Sequence, residues 1–213
     1  MFVKLCGLRT LTDAQAAIEA GASALGFILA ESKRQVMPGM VASVREDIAM
    51  PPTIVGVTVN NTADELMGIF ESARLDMLQL SGDEPISILD ELDVPVIKAL
   101  RFPAGTSIDH ATEEVDRWLS HRHAPELVMV DSHHGSAHGG TGMVADWKLV
   151  SEIAVRYPIV LAGGLDPDNV AEAIRRVGPI GVDVSSGTES GGIKDPAKMS
   201  AFVRTARQAF ARY

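Results

Sequence analysis

The 213-residue sequence has a single cysteine, so no disulfide closes within the chain and a reducing compartment is expected. It has no run of lysine or arginine, and its formal net charge is -9. Nucleic acid and anionic membrane both call for a basic footprint, so neither is expected as a partner. No apolar stretch approaches the roughly 18 residues of a membrane span. The start, Met1 to Gly7, passes into a polar turn without the longer apolar stretch and cleavage site of a signal peptide. A cytoplasmic protein is the expectation. Also missing are the glycine fingerprint of dinucleotide-binding sheets after the first strand and any low-complexity linker that would split the chain.

What is present is a repeat of short apolar, β-branched runs, each followed by a loop and then a helix-patterned segment. The runs cover 2–6, 24–29, 53–59, 77–80, 95–100, 127–131, 158–162 and 181–185. Most are hydrophobic almost throughout, as parallel strands covered on both faces are. Helix starts are predicted from Thr12 with Gln15 and Thr62 with Glu65, which have capping-box spacing. Asp166-Pro167 and Asp195-Pro196 place a capping carboxylate before a proline suited to a first helical turn. Eight alternations of roughly 25–30 residues predict an α/β fold, a closed (β/α)8 TIM barrel forming one domain over 1–213. An open doubly wound sheet usually has fewer strands.

Chemistry in this fold sits at the carboxyl ends of the strands. Side chains alternate along a strand, so Lys4 and Cys6 face the barrel axis while Val3 and Leu5 face the helices. Two readings stand for Cys6, an inert buried filler or a functional thiol. Strand six, Leu127-Val128-Met129-Val130-Asp131, is apolar up to its last residue. Asp131 is then either a general acid kept neutral by desolvation or a cap. Strands seven and eight end in Ala162-Gly163-Gly164-Leu165 and Asp183-Val184-Ser185-Ser186-Gly187, and the loop after strand six holds Gly139-Gly140-Thr141-Gly142. Glycines let backbone N–H groups approach an anion and hydroxyls add donors. Gly140, Thr141, Gly142, Gly163, Gly164, Ser185, Ser186 and Gly187 are therefore the expected phosphate site. Arg34, in Ser32-Lys33-Arg34, is either a two-pronged carboxylate ligand or part of a solvated loop. Asp183 reads as a buried hydrogen-bonding support. His133, His134 and His138 lack the closed four-ligand spacing of structural zinc, and no metal is expected. Trp118 and Trp147 read as helix packing.

Taken together, these segments resemble phosphoribosylanthranilate isomerases of the tryptophan pathway. The resemblance rests on Lys4-Leu5-Cys6-Gly7-Leu8-Arg9, Gly26-Phe27-Ile28, Ser32-Lys33-Arg34, Val55-Gly56-Val57 with Val59-Asn60, and Leu78-Gln79-Leu80 with Gly82-Asp83-Glu84. It continues through Ile97-Lys98-Ala99, Asp131, the Gly139 to Gly142 run, Asp146-Trp147, Leu161 to Leu165 with Asn169-Val170, and Asp183 to Gly187 with Glu189. It implies an Amadori rearrangement of a phosphorylated small-molecule substrate, N-(5-phosphoribosyl)anthranilate, without a cofactor. It further implies Asp131 as the acid that opens the ribose ring, Cys6 as the base at C2′ and Arg34 as the ligand of the anthranilate carboxylate. Lys4, Arg9, Gln79 and Asp183 are then supporting residues. A barrel of this kind is a monomer or a homodimer, and the sequence leaves both open.

Three positions depart from the family pattern. Ser81 stands where histidine is usual, Thr58 where phenylalanine is common, and Ala145 where phenylalanine usually precedes Asp-Trp. The first removes a titratable group and the others aromatic volume, with a looser pocket or a wider substrate range as the expected effect. Two rival functions remain. The matching isomerisation of histidine biosynthesis needs a second phosphate site, which Asn60-Asn61-Thr62 and Ser81-Gly82-Asp83-Glu84 suit poorly. A non-catalytic phospho-ligand binder has no need of Cys6 and Asp131 together.

Overall fold

The computed structural model describes residues 1–103, 105–131 and 147–212. Eight strands, β1 (Phe2–Cys6), β2 (Ala24–Ile28), β3 (Thr53–Thr58), β4 (Met77–Leu80), β5 (Val96–Arg101), β6 (Leu127–Asp131), β7 (Ile159–Ala162) and β8 (Gly181–Val184), are all parallel and pair in sequence order. Pairing of β1 with β8 closes the barrel. The helices are α1 (Leu11–Ala20), α2 (Pro38–Asp47), α3 (Ala63–Ala73), α4 (Ile108–Leu119), α5 (Trp147–Ala154), α6 (Val170–Val177) and α7 (Pro196–Phe210). Between β4 and β5 the helix is a short 3-10 segment, Ile86–Asp90. Pro85 precedes its first turn and Pro95 lies just before β5. A two-stranded ribbon follows β8, made of β9 (Glu189–Ser190) and β10 (Ile193–Lys194).

Alternation divides the apolar residues into two layers. Val3, Leu5, Leu25, Phe27, Ile54, Leu78, Val182 and Val184 join the helix faces in the outer core. Ala24, Val55, Ile97, Ala99, Met129, Val160 and Ala162 fill the barrel, with Phe2, Met77 and Leu127 packed against them. Full burial of an aliphatic side chain contributes about 1.5–3 kcal/mol, so the larger outer layer dominates stability. Trp118 and Trp147 are buried on α4 and α5, as expected of packing residues.

Local signals were partly as predicted. Thr62 and Glu65 form a reciprocal capping box on α3, and Asp195 accepts from Ala197 N and Lys198 N at the start of α7. The first helix begins earlier than Thr12 suggests. Thr10 caps it, accepting from Asp13 N, while the Asp13 carboxylate accepts from Arg9 N at 2.8 Å. Thr10 and Asp13 have the same three-residue spacing, and the earlier pair takes the orphan amides first. Asp166 caps a turn ahead of α6, accepting from Asp168 N and Asn169 N, and the helix proper starts at Val170. Several strands end one residue away from the apolar run, most notably β5, which extends to Arg101.

Candidate active site

Cys6 ends β1 with its side chain over the barrel interior. The next residue, Gly7, has φ 75° and its N–H and that of Leu8 both donate to Gly26 O, at 2.9 and 3.1 Å. Glycine is required here for two reasons, the left-handed backbone and the neighbours. A Cβ on Gly7 would lie 2.8 Å from Arg34 Cδ and 2.9 Å from Ser185 Oγ. The loops after β1, β2 and β8 therefore meet above Cys6.

Beneath Cys6 lies Lys4, wholly buried, whose Nζ donates to Asp183 Oδ1 at 2.8 Å across the β1–β8 seam. Burial alone would lower the Lys4 ammonium, but Asp183 and Cys6 outweigh it and raise its pKa above the ordinary value. The Cys6 thiol is also raised, chiefly by burial, with Lys4 acting in the opposite direction. On the neighbouring strand Gly26 leaves the room they occupy, since a Cβ there would sit 2.8 Å from Cys6 Sγ and 2.9 Å from Lys4 Cε.

Arg34 grips Glu189 with two prongs, Nε to Oε1 at 2.7 Å and Nη2 to Oε2 at 2.8 Å. Lys194, on β10, adds a contact to Glu189 Oε1 at 3.2 Å and donates to Ser185 O at 2.7 Å. Burial would raise the Glu189 carboxyl, yet the bonds from Arg34 and Lys194 hold it below its ordinary value. Burial pushes the Lys194 ammonium down, with Glu189 opposing. Arg34 is thus neither a solvated loop residue nor an unengaged fork. Among the described residues its Nη1 is without a hydrogen-bond partner.

Asp131, at the end of β6, stands opposite Arg101 in the β5–β6 register, and Arg101 Nε meets its Oδ2 at 3.2 Å. The mouth at this point is therefore not the apolar setting that the strand pattern suggested. Extending the alternation of Ile97 and Ala99 by one step places Arg101 on the inward face, a signal available in the sequence but missed when the run was ended at Leu100. Glu189 and Lys194 were missed as functional candidates for a different reason. Arg34, the main partner of Glu189, is 155 positions away, and Lys194 reaches Glu189 and Ser185 only through the β9–β10 ribbon, which no local pattern marks.

The loops after β7 and β8 touch through their backbones. A Cβ on Gly187 would lie 2.9 Å from the Leu165 carbonyl carbon and 3.0 Å from Asp166 Cα. Gly163 and Gly164 have φ 91° and 65°, and Asn169 Nδ2 donates to Gly164 O at 2.9 Å. Among the described residues Ser185 Oγ is buried without a partner, and it lies beside Gly7, where the loops after β1, β2 and β8 meet. Gly140, Thr141 and Gly142, with His133, His134, His138, Ala145 and Asp146, lie outside the described residues. Among the described residues no three His, Cys, Asp or Glu side chains are placed to hold a metal ion, and no helix is long and apolar enough to cross a membrane.

On the far side of the mouth, Gln79 Nε2 donates to Ser81 Oγ at 3.0 Å, and among the described residues its buried Oε1 is without a partner. Thr58 is buried, donating to Gln79 O at 3.2 Å. Arg9 donates to Gly192 O in the β9–β10 turn at 3.0 Å. Beside the mouth a cavity of about 460 Å³ is lined by Asn60, Ser81, Glu84, Lys98, Arg101 and Trp118, among others. Glu84 is not the exposed acidic group its loop suggested. It is buried against Lys98 at 2.6 Å and accepts from Asn60 N and Gly82 N.

Comparison with known proteins bears on this geometry. The family model for N-(5′-phosphoribosyl)anthranilate isomerase matches residues 3–205. A protein of Roseiflexus castenholzii named N-(5′-phosphoribosyl)anthranilate isomerase is 44% identical over 217 residues, covering 98% of this chain and 99% of the relative. A crystal structure of phosphoribosyl anthranilate isomerase with reduced 1-(o-carboxyphenylamino)-1-deoxyribulose 5-phosphate superposes with a TM-score of 0.81 at 30% identity, covering 98% of this chain and 99% of the other. Monomers generated from the dimeric enzyme of Thermotoga maritima give 0.80 at 29% identity, with the same coverage.

Proposed function

The chain belongs to the family of N-(5′-phosphoribosyl)anthranilate isomerases, and on that premise we propose that Cys6 and Asp131 are the base and the acid of its reaction. The protein is a phosphoribosylanthranilate isomerase of tryptophan biosynthesis, an aldose–ketose isomerase. The reaction is an Amadori rearrangement to 1-(2-carboxyphenylamino)-1-deoxyribulose 5-phosphate, an internal redox shift that consumes no co-reactant.

Asp131 donates its proton to the ribose ring oxygen as the C1′–O bond breaks, and the anthranilate nitrogen lone pair forms the iminium. Cys6, as thiolate, takes the C2′ proton, and the electrons of that C–H bond neutralise the iminium to an enol-amine. Protonation at C1′ and loss of the enol proton give the ketose. Acid and base on opposite sides of one mouth are what such a proton shift requires. The Gly163–Gly164 and Ser185–Ser186–Gly187 loops receive the phosphate, and the Nη1 edge of Arg34 receives the carboxylate. Holding both ends orients the carbons between them.

The observation that carries this reading is that Cys6, Asp131, Arg34 and the glycine loops converge at one end of one closed barrel. Residues 1–213 then act as one catalytic domain, and a whole site lies on each chain whether the protein is a monomer or a homodimer. A lone cysteine used as a base needs a reducing compartment, which supports the cytoplasm.

The test is turnover of freshly generated phosphoribosylanthranilate by wild type, Cys6→Ala and Asp131→Asn, with affinity for the reduced product analogue measured in each. Turnover should fall about 10²–10⁴-fold in either variant, with binding retained. A variant that keeps wild-type turnover removes that residue from the pair.

A further inference from the structure

We propose that the buried ammonium of Lys4 is the charge partner of the Cys6 thiolate, with Asp183 holding that ammonium beneath the sulfur. The inference rests on the reading of Cys6 as the base, and Lys4 acts through Cys6 as a positioning residue.

The surroundings make a purely structural role a poor account of Lys4. The barrel is otherwise filled by Ala24, Val55, Ile97, Ala99, Met129, Val160 and Ala162. An ion pair in such a core costs desolvation that a pair of well-packed apolar side chains would avoid. Lys4 is nonetheless wholly buried and bonded to Asp183 at 2.8 Å. It lies two residues before Cys6 on the same face of β1, and both side chains occupy the space that a Cβ on Gly26 would fill. The only thiol in the chain therefore sits beside the wholly buried Lys4 ammonium.

Among the described residues four charged side chains act on Cys6. Lys4 comes from its own strand, Asp183 from β8, Lys194 from the ribbon after β8, and Arg34 from the loop after β2, while β2 itself contributes Gly26 with no side chain. Lys4 and Lys194 favour the thiolate. Asp183 and burial oppose it. Arg34 and Lys194 are engaged by Glu189 and Lys4 by Asp183, but Lys4 is the cation that packs against Cys6 in the space beside Gly26. Before each turnover the thiol proton leaves to solvent through the mouth. Lys4 keeps its own protons throughout.

Two variants separate electrostatics from scaffolding. Asp183→Asn keeps an oxygen that accepts from Lys4 Nζ and removes the anion that opposes the thiolate. Lys4→Met together with Asp183→Asn removes both charges, so no buried ion is left alone, and differs from the first variant only at Lys4. Because Cys6 is the only cysteine, thiolate absorbance at 240 nm and the rate of iodoacetamide alkylation report on it alone, without any assay of turnover.

Asp183→Asn should move the Cys6 titration to lower pH than wild type. The double variant should then lie about 1–2 pH units above Asp183→Asn. The basic limb of the kcat/KM profile should follow the same order, with KM nearly constant. Equal titration of the two variants would overturn the proposal. So would an upward movement in Asp183→Asn, which decides the matter even when the double variant does not fold. A titration that moves as stated while the kcat/KM profile stays fixed would support the Lys4–Cys6 pairing and refute Cys6 as the base.

Discussion

Arg34 and Glu189, 155 positions apart in the chain, are locked together by two hydrogen bonds of 2.7 and 2.8 Å. The pair fixes the plane of the guanidinium and leaves Nη1 outside the fork. With Lys194 on the same carboxylate, two cations share one anion. The surplus positive charge suits a single incoming carboxylate.

Arg34→Lys keeps the charge and loses the fork, which serves Glu189 and the ligand at once. KM for phosphoribosylanthranilate should rise about tenfold, equivalent to about 1.4 kcal/mol, with kcat changed far less. Steady-state kinetics check this. A substrate analogue lacking the carboxylate should show no difference between the two proteins.

Gly187→Ala should weaken phosphate binding, because its Cβ would meet backbone on the β7 loop at both Leu165 and Asp166. Neither neighbour is the far end of a flexible side chain, so the loops must separate, at a cost of about 1–3 kcal/mol. Inhibition by inorganic phosphate, competitive with substrate in wild type, should become about tenfold weaker. An unchanged inhibition constant would move the phosphate site elsewhere.

Glu84 makes the acid side of the stability curve testable. Burial would raise its carboxyl, but the Lys98 bond and the Asn60 N–H prevail and hold it below the ordinary 4.5. A carboxyl lowered in the folded state contributes stability that is complete above the unfolded value and is lost as pH falls through the folded one. Wild type should therefore lose this contribution progressively below pH 4.5. Glu84→Gln leaves Lys98 buried without its counter-ion and should be destabilised at pH 7 by about 3–5 kcal/mol. Its stability should also decline less steeply with acid. Denaturant unfolding of both proteins at pH 7 and at acidic pH measures the two effects.

The barrel was legible in the sequence because parallel strands covered on both faces leave continuous apolar runs. The closed β1-to-β8 order follows that count. Cys6 and Asp131 were legible as positions because each ends such a run, at the mouth of the barrel. Alternation also placed Lys4 inward. Its ion pair with Asp183 depends on barrel closure, which joins residues 179 apart. Arg34 with Glu189 is the same kind of contact, formed between loops whose meeting no periodicity encodes. Glu84 misled for the converse reason. Its loop is acidic in composition, but the carboxylate folds back onto Lys98, which alternation places on the helix side of β5. Arg101 was recoverable, since one more residue of β5 brings it beside Asp131. Local cap chemistry fixed α3 and α7 correctly and misplaced the start of α1, where two candidate caps lay two residues apart.

The central claim is the division of labour between Cys6 and Asp131, and the most direct measurement is the primary isotope effect with substrate deuterated at C2′. In Cys6→Ser, with a weaker base, removal of that hydrogen should limit turnover, and kcat should show a clear isotope effect. In Asp131→Asn ring opening should limit turnover, and the effect should be close to unity. The reverse pattern, a large effect in Asp131→Asn and none in Cys6→Ser, would contradict the assignment and exchange the two roles.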